Sequence, residues 1–292
     1  MLNTKHFNEF MENGFIEFPG LLDGKKCKEL HDKIYSDRNW GNNIFRSREE
    51  CEKNPQFKKV NPGKNINNLA EKFDLSFIEN NETIKFFLNH TLGKNYEIIL
   101  KKFVVAACDK WVPDWLKYKL SKSLISNLGP FIKEKYRDVT YFRGIDYHLD
   151  VIDFPKGDPK FLTMYIYLQD VGKDMSPLNV VKKSFINGPT PFPHYIINDD
   201  HKDYLEYGKS KETYKRFEKK ELTGTAGTVY FWTSTTLHGT RPQPVDDNFR
   251  ISLRYLIKKK TSSRVPIDDL IKEKIIVKTR HEDDKEKKKI LK

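Results

Sequence analysis

The residues with the clearest chemical potential are Tyr147-His-Leu-Asp150. In an extended segment residues i and i+2 project to one face, so the imidazole of His148 and the carboxylate of Asp150 can converge with Leu149 turned away. A third ligand type follows far downstream at His238, in Trp232-Thr-Ser-Thr-Thr-Leu-His238-Gly-Thr240. Two imidazoles and one carboxylate on one side of a divalent metal leave the opposite coordination positions open, which suits iron(II). Zinc held tetrahedrally by the same set would suit a hydrolase, so the triad alone leaves the metal open. Phe249-Arg250-Ile-Ser252 adds a guanidinium fork suited to a carboxylate, with a hydroxyl on the same strand face, and matches a dicarboxylate ligand. Each feature has a plainer reading: a hydrogen-bonded His148–Asp150 pair, a turn closed by His238 and Gly239, an ion pair of Arg250 with Asp246 or Asp247. None of these accounts for the ordered spacing.

The elements needed to position these groups are legible as periodicities. Asn3 to Met11 and a segment capped by Asp23, with Cys27, Leu30 and Ile34 on one face, read as helices around a strand at Phe15 to Phe18. Residues 39 to 65 read as loop, Ile66 to Glu79 and Asn81 to Leu92 as helices, and Tyr96 to Ala107 as a strand. Trp115, Leu116, Leu120, Leu124 and Leu128 predict one amphipathic helix over 114 to 128, ended by Gly129-Pro130, within an insertion of about 108 to 138. Short β-like runs then follow at 139–143, 147–154, 161–168, 179–181, 228–232 and 249–257, while 199–222 reads as a surface helix or a lid. The expected fold is mainly β, with flanking N-terminal helices, a single domain over 1–257 and a charged C-terminal extension over 258–292.

Composition narrows the functional classes. The 292 residues carry 53 Lys and Arg against 41 Asp and Glu, but 13 of the basic and 7 of the acidic groups fall in the last 35 residues. The remainder is only mildly basic, so charge does not require a nucleic-acid partner. Cys27, Cys51 and Cys108 are odd in number and lack CxxC spacing, which predicts reduced thiols in the cytoplasm. No stretch reaches membrane-span length. A monomer acting on a small molecule, with no nucleic acid and no membrane, is the expectation.

Beyond these readings the chain resembles the phytanoyl-CoA dioxygenase family over most of residues 7 to 257. The resemblance rests on Asn13-Gly-Phe-Ile-Glu-Phe-Pro-Gly-Leu-Leu22, His148-Leu-Asp150, Leu162-Thr-Met-Tyr-Ile-Tyr-Leu-Gln-Asp170 and Gly227-Thr-Val-Tyr-Phe-Trp232 leading to His238. It implies a double-stranded β-helix, or jelly roll, whose iron is held by His148, Asp150 and His238. It also implies O2 and 2-oxoglutarate as cosubstrates, the latter bound by Arg250 and Ser252, with Tyr165 and Thr240 lining its site. The chain departs from the family where Phe185 stands in place of the usual histidine, and in the insertion, so phytanoyl-CoA is not the expected substrate.

Arg143, with Tyr141 on its strand face, is a candidate for binding an acidic group of the substrate. His6, His31, His90, His194, His201 and His281 have no partner at ligand spacing and are assigned no metal role. The expected activity is oxidation of an unactivated C–H bond in an acidic or amino-acid-derived small molecule. Hydroxylation is the default outcome, ring closure or desaturation the variants, and succinate and CO2 the coproducts. Asp150 argues against halogenation, which needs that coordination position for halide. Two alternatives are a cupin-like metal hydrolase or isomerase, and a non-catalytic jelly-roll binding module.

Overall fold

Side-chain caps set the boundaries of the first elements. In the computed structural model, which describes residues 2–59, 65–121, 125–154, 157–189, 195–199, 201–208, 213–240 and 249–274, Asn3 caps α1 (Thr4–Asn13) and Gly14 ends it at φ 68°. A Cβ at Gly14 would be strained and would lie 2.4 Å from the Phe185 ring, so Phe185 packs where only glycine leaves room. β1 (Phe15–Phe18) and α2 (Gly24–Ser36) follow, the helix capped by Asp23 and burying Cys27, Leu30 and Ile34 as its spacing predicts.

Two expectations fail in the next stretch, for local reasons. The supposed loop at 39–65 contains α3 (Arg48–Lys53), started by a reciprocal Ser47–Glu50 capping box; its residues 60–64 lie outside the described set. The helix expected over 66–79 is broken into a 3-10 turn at Leu69–Lys72 and α4 (Ser76–Glu79). Asn68 accepts from the Ala70 N–H and Asp74 from the Ser76 N–H, so two short polar side chains each start a separate turn. α5 (Glu82–Leu92) forms as predicted, capped by Asn81 and burying Ile84, Phe87 and Leu88.

β2 (Tyr96–Ala106) leads into the insertion. There the expected single helix ends early: α6 (Asp114–Ser121) is followed by β3 (Ile125–Asn127), which pairs with β4 (Thr140–His148). Leu124 falls outside the described residues. The open hydrogen-bonding edge of β4 captures the backbone that helical periodicity had assigned to a last turn. The chain continues through β5 (Phe161–Tyr167), β6 (Leu178–Val181), β7 (Tyr195–Asn198), β8 (Tyr204–Gly208) and β9 (Lys215–Leu222). The segment 199–222 is therefore mostly strand rather than helix or lid, apart from residues 200 and 209–212, which are outside the described set. β10 (Val229–Thr233), β11 (His238–Thr240), β12 (Arg250–Lys259) and α7 (Ile267–Leu270) complete the order.

The strands pair in the order β1-β10-β5-β12-β2-β4-β11-β6-β9-β8-β7. β4 is the corner: it runs parallel to β2 over Thr140–Phe142 and then pairs antiparallel with β11 near its end, passing from one layer to the other. The layers face one another through Tyr165, Tyr167, Tyr230 and Trp232 on one side and Leu178, Val180 and Leu222 on the other. Behind the first layer, Ile166, Phe231, Leu253 and Tyr255 pack with Phe10, Leu30, Ile34 and Phe87 of the helices. This is the expected jelly roll with helices on one face. Among the described residues, no helix is long and apolar enough to cross a membrane.

β12 runs to Lys259, and the chain beyond it returns Ile267, Leu270 and Ile271 to the core. Residues 275–292, which include the end expected to fray, lie outside the described set. Asp268 pins this return, accepting from Lys259 at 2.9 and 2.7 Å and pairing with Lys160 at 2.8 Å. Burial works to raise its pKa, but the bonds from Lys160 and Lys259 prevail and hold it down to about 2, against an ordinary 3.8. Because the folded value is the lower, the stabilisation is present above pH 3.8 and disappears as pH falls through about 2. Asp268→Asn should therefore cost about 2 kcal/mol at neutral pH, and denaturant unfolding of the two proteins should converge near pH 2; equal stability at pH 7 would refute the role.

Candidate metal centre

β4 delivers His148 as its last residue, and the strand expected over 147–154 stops there. Asp150 opens a 3-10 turn (Asp150–Asp153), closed by bonds from Ile152 N–H to Leu149 C=O and from Phe154 N–H to Val151 C=O. The two ligands thus come from a strand end and the turn after it, not from one strand face, with Leu149 buried between them. His238 begins β11 directly opposite His148, their ring centroids 4.4 Å apart. Two residues on, Thr240 pairs with Ile145, so β4 carries one extra residue, a bulge beside the site. The Thr240 hydroxyl accepts from the Ile145 N–H at 3.0 Å and fixes that bulge. At Gly239 a Cβ would lie 2.9 Å from the Ile145 carbonyl oxygen, an approach that needs glycine.

One ligand atom from each of His148, Asp150 and His238 lies within 4.8 Å of the others, and this is the one such group of His, Cys, Asp and Glu among the described residues. His6, His31, His90 and His201 take no part in it, and His194 and His281 are outside the described residues. The protonation pattern suits a cation. His148 Nδ1 lies 2.9 Å from the Asp146 carbonyl and His238 Nδ1 3.0 Å from that of Thr236. A carbonyl only accepts, so both Nδ1 atoms carry a proton and the Nε2 atoms are the ones left to face a metal. Burial, and then His238, pushes the His148 pKa below its ordinary 6.5, favouring the neutral ligand form. His238 Nε2 lies 3.4 Å from Asp150 Oδ1, so a ring nitrogen and a carboxylate oxygen border the same small space.

Asp150 is 1% exposed and bonded through both oxygens. Thr163 Oγ1 donates to Oδ2, as does Trp232 Nε1 at 2.8 Å, while Arg254 Nη2 donates to Oδ1. Burial alone would raise its pKa, but Arg254 first and His238 next hold it well below 3.8, so the group is a carboxylate.

Arg250 lies between the layers, 2% exposed. Its Nη1 donates to the hydroxyls of Tyr165 and Ser252, each at 2.7 Å, and Nη2 to the Ser176 carbonyl at 3.1 Å. Its Nε has no partner, and among the described residues no carboxylate pairs with it; Asp246 and Asp247 are outside that set. A guanidinium is always charged, so this one is a buried cation that, among the described residues, bonds only neutral oxygens, with a donor to spare. Gln169 steadies the start of β12, its amide accepting from Ile251 N–H at 2.8 Å and donating to the Phe249 carbonyl at 3.1 Å.

The sequence candidates therefore separate. His148, Asp150 and His238 come together, as do Arg250, Ser252 and Tyr165, while Thr240 is engaged with the β4 bulge. Tyr141 is 1% exposed in the helix-side core, where its hydroxyl accepts from Arg38 at 3.3 Å. Arg143 pairs through two nitrogens with Asp109 of the insertion. The sequence reading missed Thr163, Arg254 and the polar role of Trp232. The signal for two of them was parity, since Thr163 alternates with Tyr165 and Arg254 with Arg250 and Ser252.

No family model matches the sequence, and no curated protein does. Solved structures similar to the chain include the non-heme alpha ketoglutarate dependent epimerase SnoN from nogalamycin biosynthesis, with TM-score 0.52, 14% identity, and 88% of this chain and 83% of that one covered. The non-heme alpha ketoglutarate dependent carbocyclase SnoK from nogalamycin biosynthesis gives TM-score 0.53 and 12% identity over 91% of this chain and 87% of its own. At such identities the likeness establishes a common fold, the jelly roll built above from the strand pairing.

Proposed function

We propose that the chain is an Fe(II)- and 2-oxoglutarate-dependent oxygenase acting on a C–H bond of a small molecule. The observation that carries this reading is the placement, in the space between two sheets, of three metal-ligand atoms within 4.8 Å and a buried arginine with no anionic partner among the described residues. The donor set fits iron(II), with two imidazoles offered through Nε2 and an ionised carboxylate from one side. The arginine fits the remote carboxylate of 2-oxoglutarate, which favours this reading over a hydrolytic metal site. The resemblance to the phytanoyl-CoA dioxygenase family and the descriptions of SnoN and SnoK support the same reading.

In this reading His148, Asp150 and His238 hold the iron, and Arg250, Ser252 and Tyr165 hold 2-oxoglutarate. Bound there, the pair would supply oxidative decarboxylation of 2-oxoglutarate to succinate and CO2, with O2 as oxidant, coupled to oxidation of a substrate C–H bond. The protein's own contribution is orientation and exclusion of water. Thr163 and Trp232 fix the carboxylate plane, backbone carbonyls orient both imidazoles, and the tilted rings of Tyr165 and Trp232, 5.7 Å apart, line the wall between the two halves of the site. Hydroxylation is the default result. SnoN and SnoK are described as an epimerase and a carbocyclase, so redirected C–H chemistry on the same fold is a further outcome for this chain. With Arg143 neutralised by Asp109, an acidic or amino-acid-derived substrate rests on the overall basic charge. Three free cysteines fit the proposed cytoplasmic setting.

Anaerobic addition of Fe(II) and 2-oxoglutarate should give a visible charge-transfer band that shifts when a true substrate is added, which makes the band a screen for candidate metabolites. His148→Ala and Asp150→Ala should abolish the band and succinate formation. Arg250→Ala should raise the 2-oxoglutarate requirement by roughly 10- to 100-fold. Wild-type protein that gives neither band nor succinate would defeat the reading, and unchanged 2-oxoglutarate affinity in Arg250→Ala would defeat the assignment of that residue.

A further inference from the structure

Arg250-Ile-Ser-Leu-Arg254 places three polar side chains at alternate positions of β12, so Arg254 shares the inward face with Arg250 and Ser252. Its surroundings differ from those of Arg250. The Arg254 side chain is only 11% exposed, and it meets two carboxylates. Nη2 donates to Asp150 Oδ1, and Nη1 pairs with Asp153 Oδ2 at 2.8 Å. Asp150 and Asp153 are the first and last residues of the 3-10 turn, so one planar fork spans the turn from a different strand.

The oxygen that Arg254 holds is the one facing the imidazole of His238 at 3.4 Å. Thr163 and Trp232 hold the other oxygen from the opposite side. Three donors thus fix both the position and the tilt of the carboxylate, and Arg254 sets the half that faces the ligand cluster. A cation so near a metal site would ordinarily oppose metal binding. Here Asp153 pairs with the guanidinium, which leaves the orienting bond and offsets part of the repulsion, while the buried Lys102 lies in the field of the same groups.

We propose that Arg254, charge-balanced by Asp153, is the positioning residue that presents Asp150 to the metal. The inference rests on the metal-site reading above and assigns a role that the triad and the 2-oxoglutarate arginine leave open. Arg254 acts through Asp150. Outer partners of ligating groups typically change metal affinity 10- to 100-fold when removed.

Co(II) is the probe, titrated into the full-length metal-free protein by calorimetry and by its visible absorption, alongside thermal unfolding of each variant without metal. Arg254→Met should bind Co(II) about 10- to 100-fold more weakly and with an altered absorption spectrum, and Arg254→Lys should recover part of the loss. Asp153→Asn should also weaken binding, because it leaves the guanidinium charge unbalanced. A role confined to stability would lower the melting temperature of Arg254→Met and leave Co(II) affinity and spectrum unmoved, which overturns the proposal. Tighter binding by Arg254→Met would also overturn it, since it would make the arginine a competitor of the metal. Where Arg254→Met does not fold, Arg254→Lys and Asp153→Asn decide: weaker binding by both supports the role, and wild-type affinity in either removes it. Wild-type protein that ignores Co(II) would bring down the metal-site reading and this role with it, whereas wild-type binding with unmoved variants would bring down this role alone.

Discussion

A carboxylate withdrawn from water must be met by donors, and the way Asp150 is met organises the centre of this protein. Its partners Trp232, Thr163 and Arg254 belong to β10, β5 and β12, three consecutive strands of one layer. Asp150 itself follows the end of β4, where that strand has crossed to the other layer. A single buried anion is thereby gripped across the gap between the sheets. Lengthening that gap would break several charge-assisted bonds at once, and closing it would drive tyrosine and tryptophan rings into Leu178 and Val180. The layer spacing and the ligand geometry are set by the same contacts.

The site divides its labour between the layers. One contributes both imidazoles, directly paired across β4 and β11, and the other contributes Arg250 with the hydroxyls of Tyr165 and Ser252. The two arginines of β12 are distinguished by charge matching. Arg254 is matched by two aspartates, whereas among the described residues Arg250 bonds only neutral oxygens and keeps Nε unsatisfied. Positions four residues apart on one strand face therefore take opposite parts, one completing an internal network and the other keeping a charge that no carboxylate among the described residues matches.

Much of this was legible in the linear order of residues, because strand alternation is a local rule. Alternation brought Arg250 together with Ser252, and the strands around Phe161–Tyr167 and Val229–Thr233 were visible as apolar runs. Alternation misled at Asp150, where strand spacing gave the right partner on the wrong element: the backbone leaves the strand after His148, and a 3-10 turn returns the carboxylate to the ligand cluster. Helical spacing likewise misled at 125–127, where an open strand edge outcompeted the last turn of a helix. The partners of Tyr141 and Arg143 were illegible for another reason. Arg38 and Asp109 are brought to them by packing of distant segments, which no short-range pattern encodes.

The pairing order carries a consequence for how the protein is made. β2 lies between β12 and β4, so the strand bearing both arginines reaches the strand bearing His148 only through a segment from the first half of the chain. Contacts so remote in sequence are slow to form, since loop-closure entropy precedes any reward from the contact. During synthesis, β4 and its aspartate emerge long before His238 and β12 exist to receive them. Asp150 and Arg254 are 104 residues apart, so the nascent polypeptide grows by that length with an acidic turn lacking its guanidinium, and the three-ligand cluster is complete only after His238 has emerged.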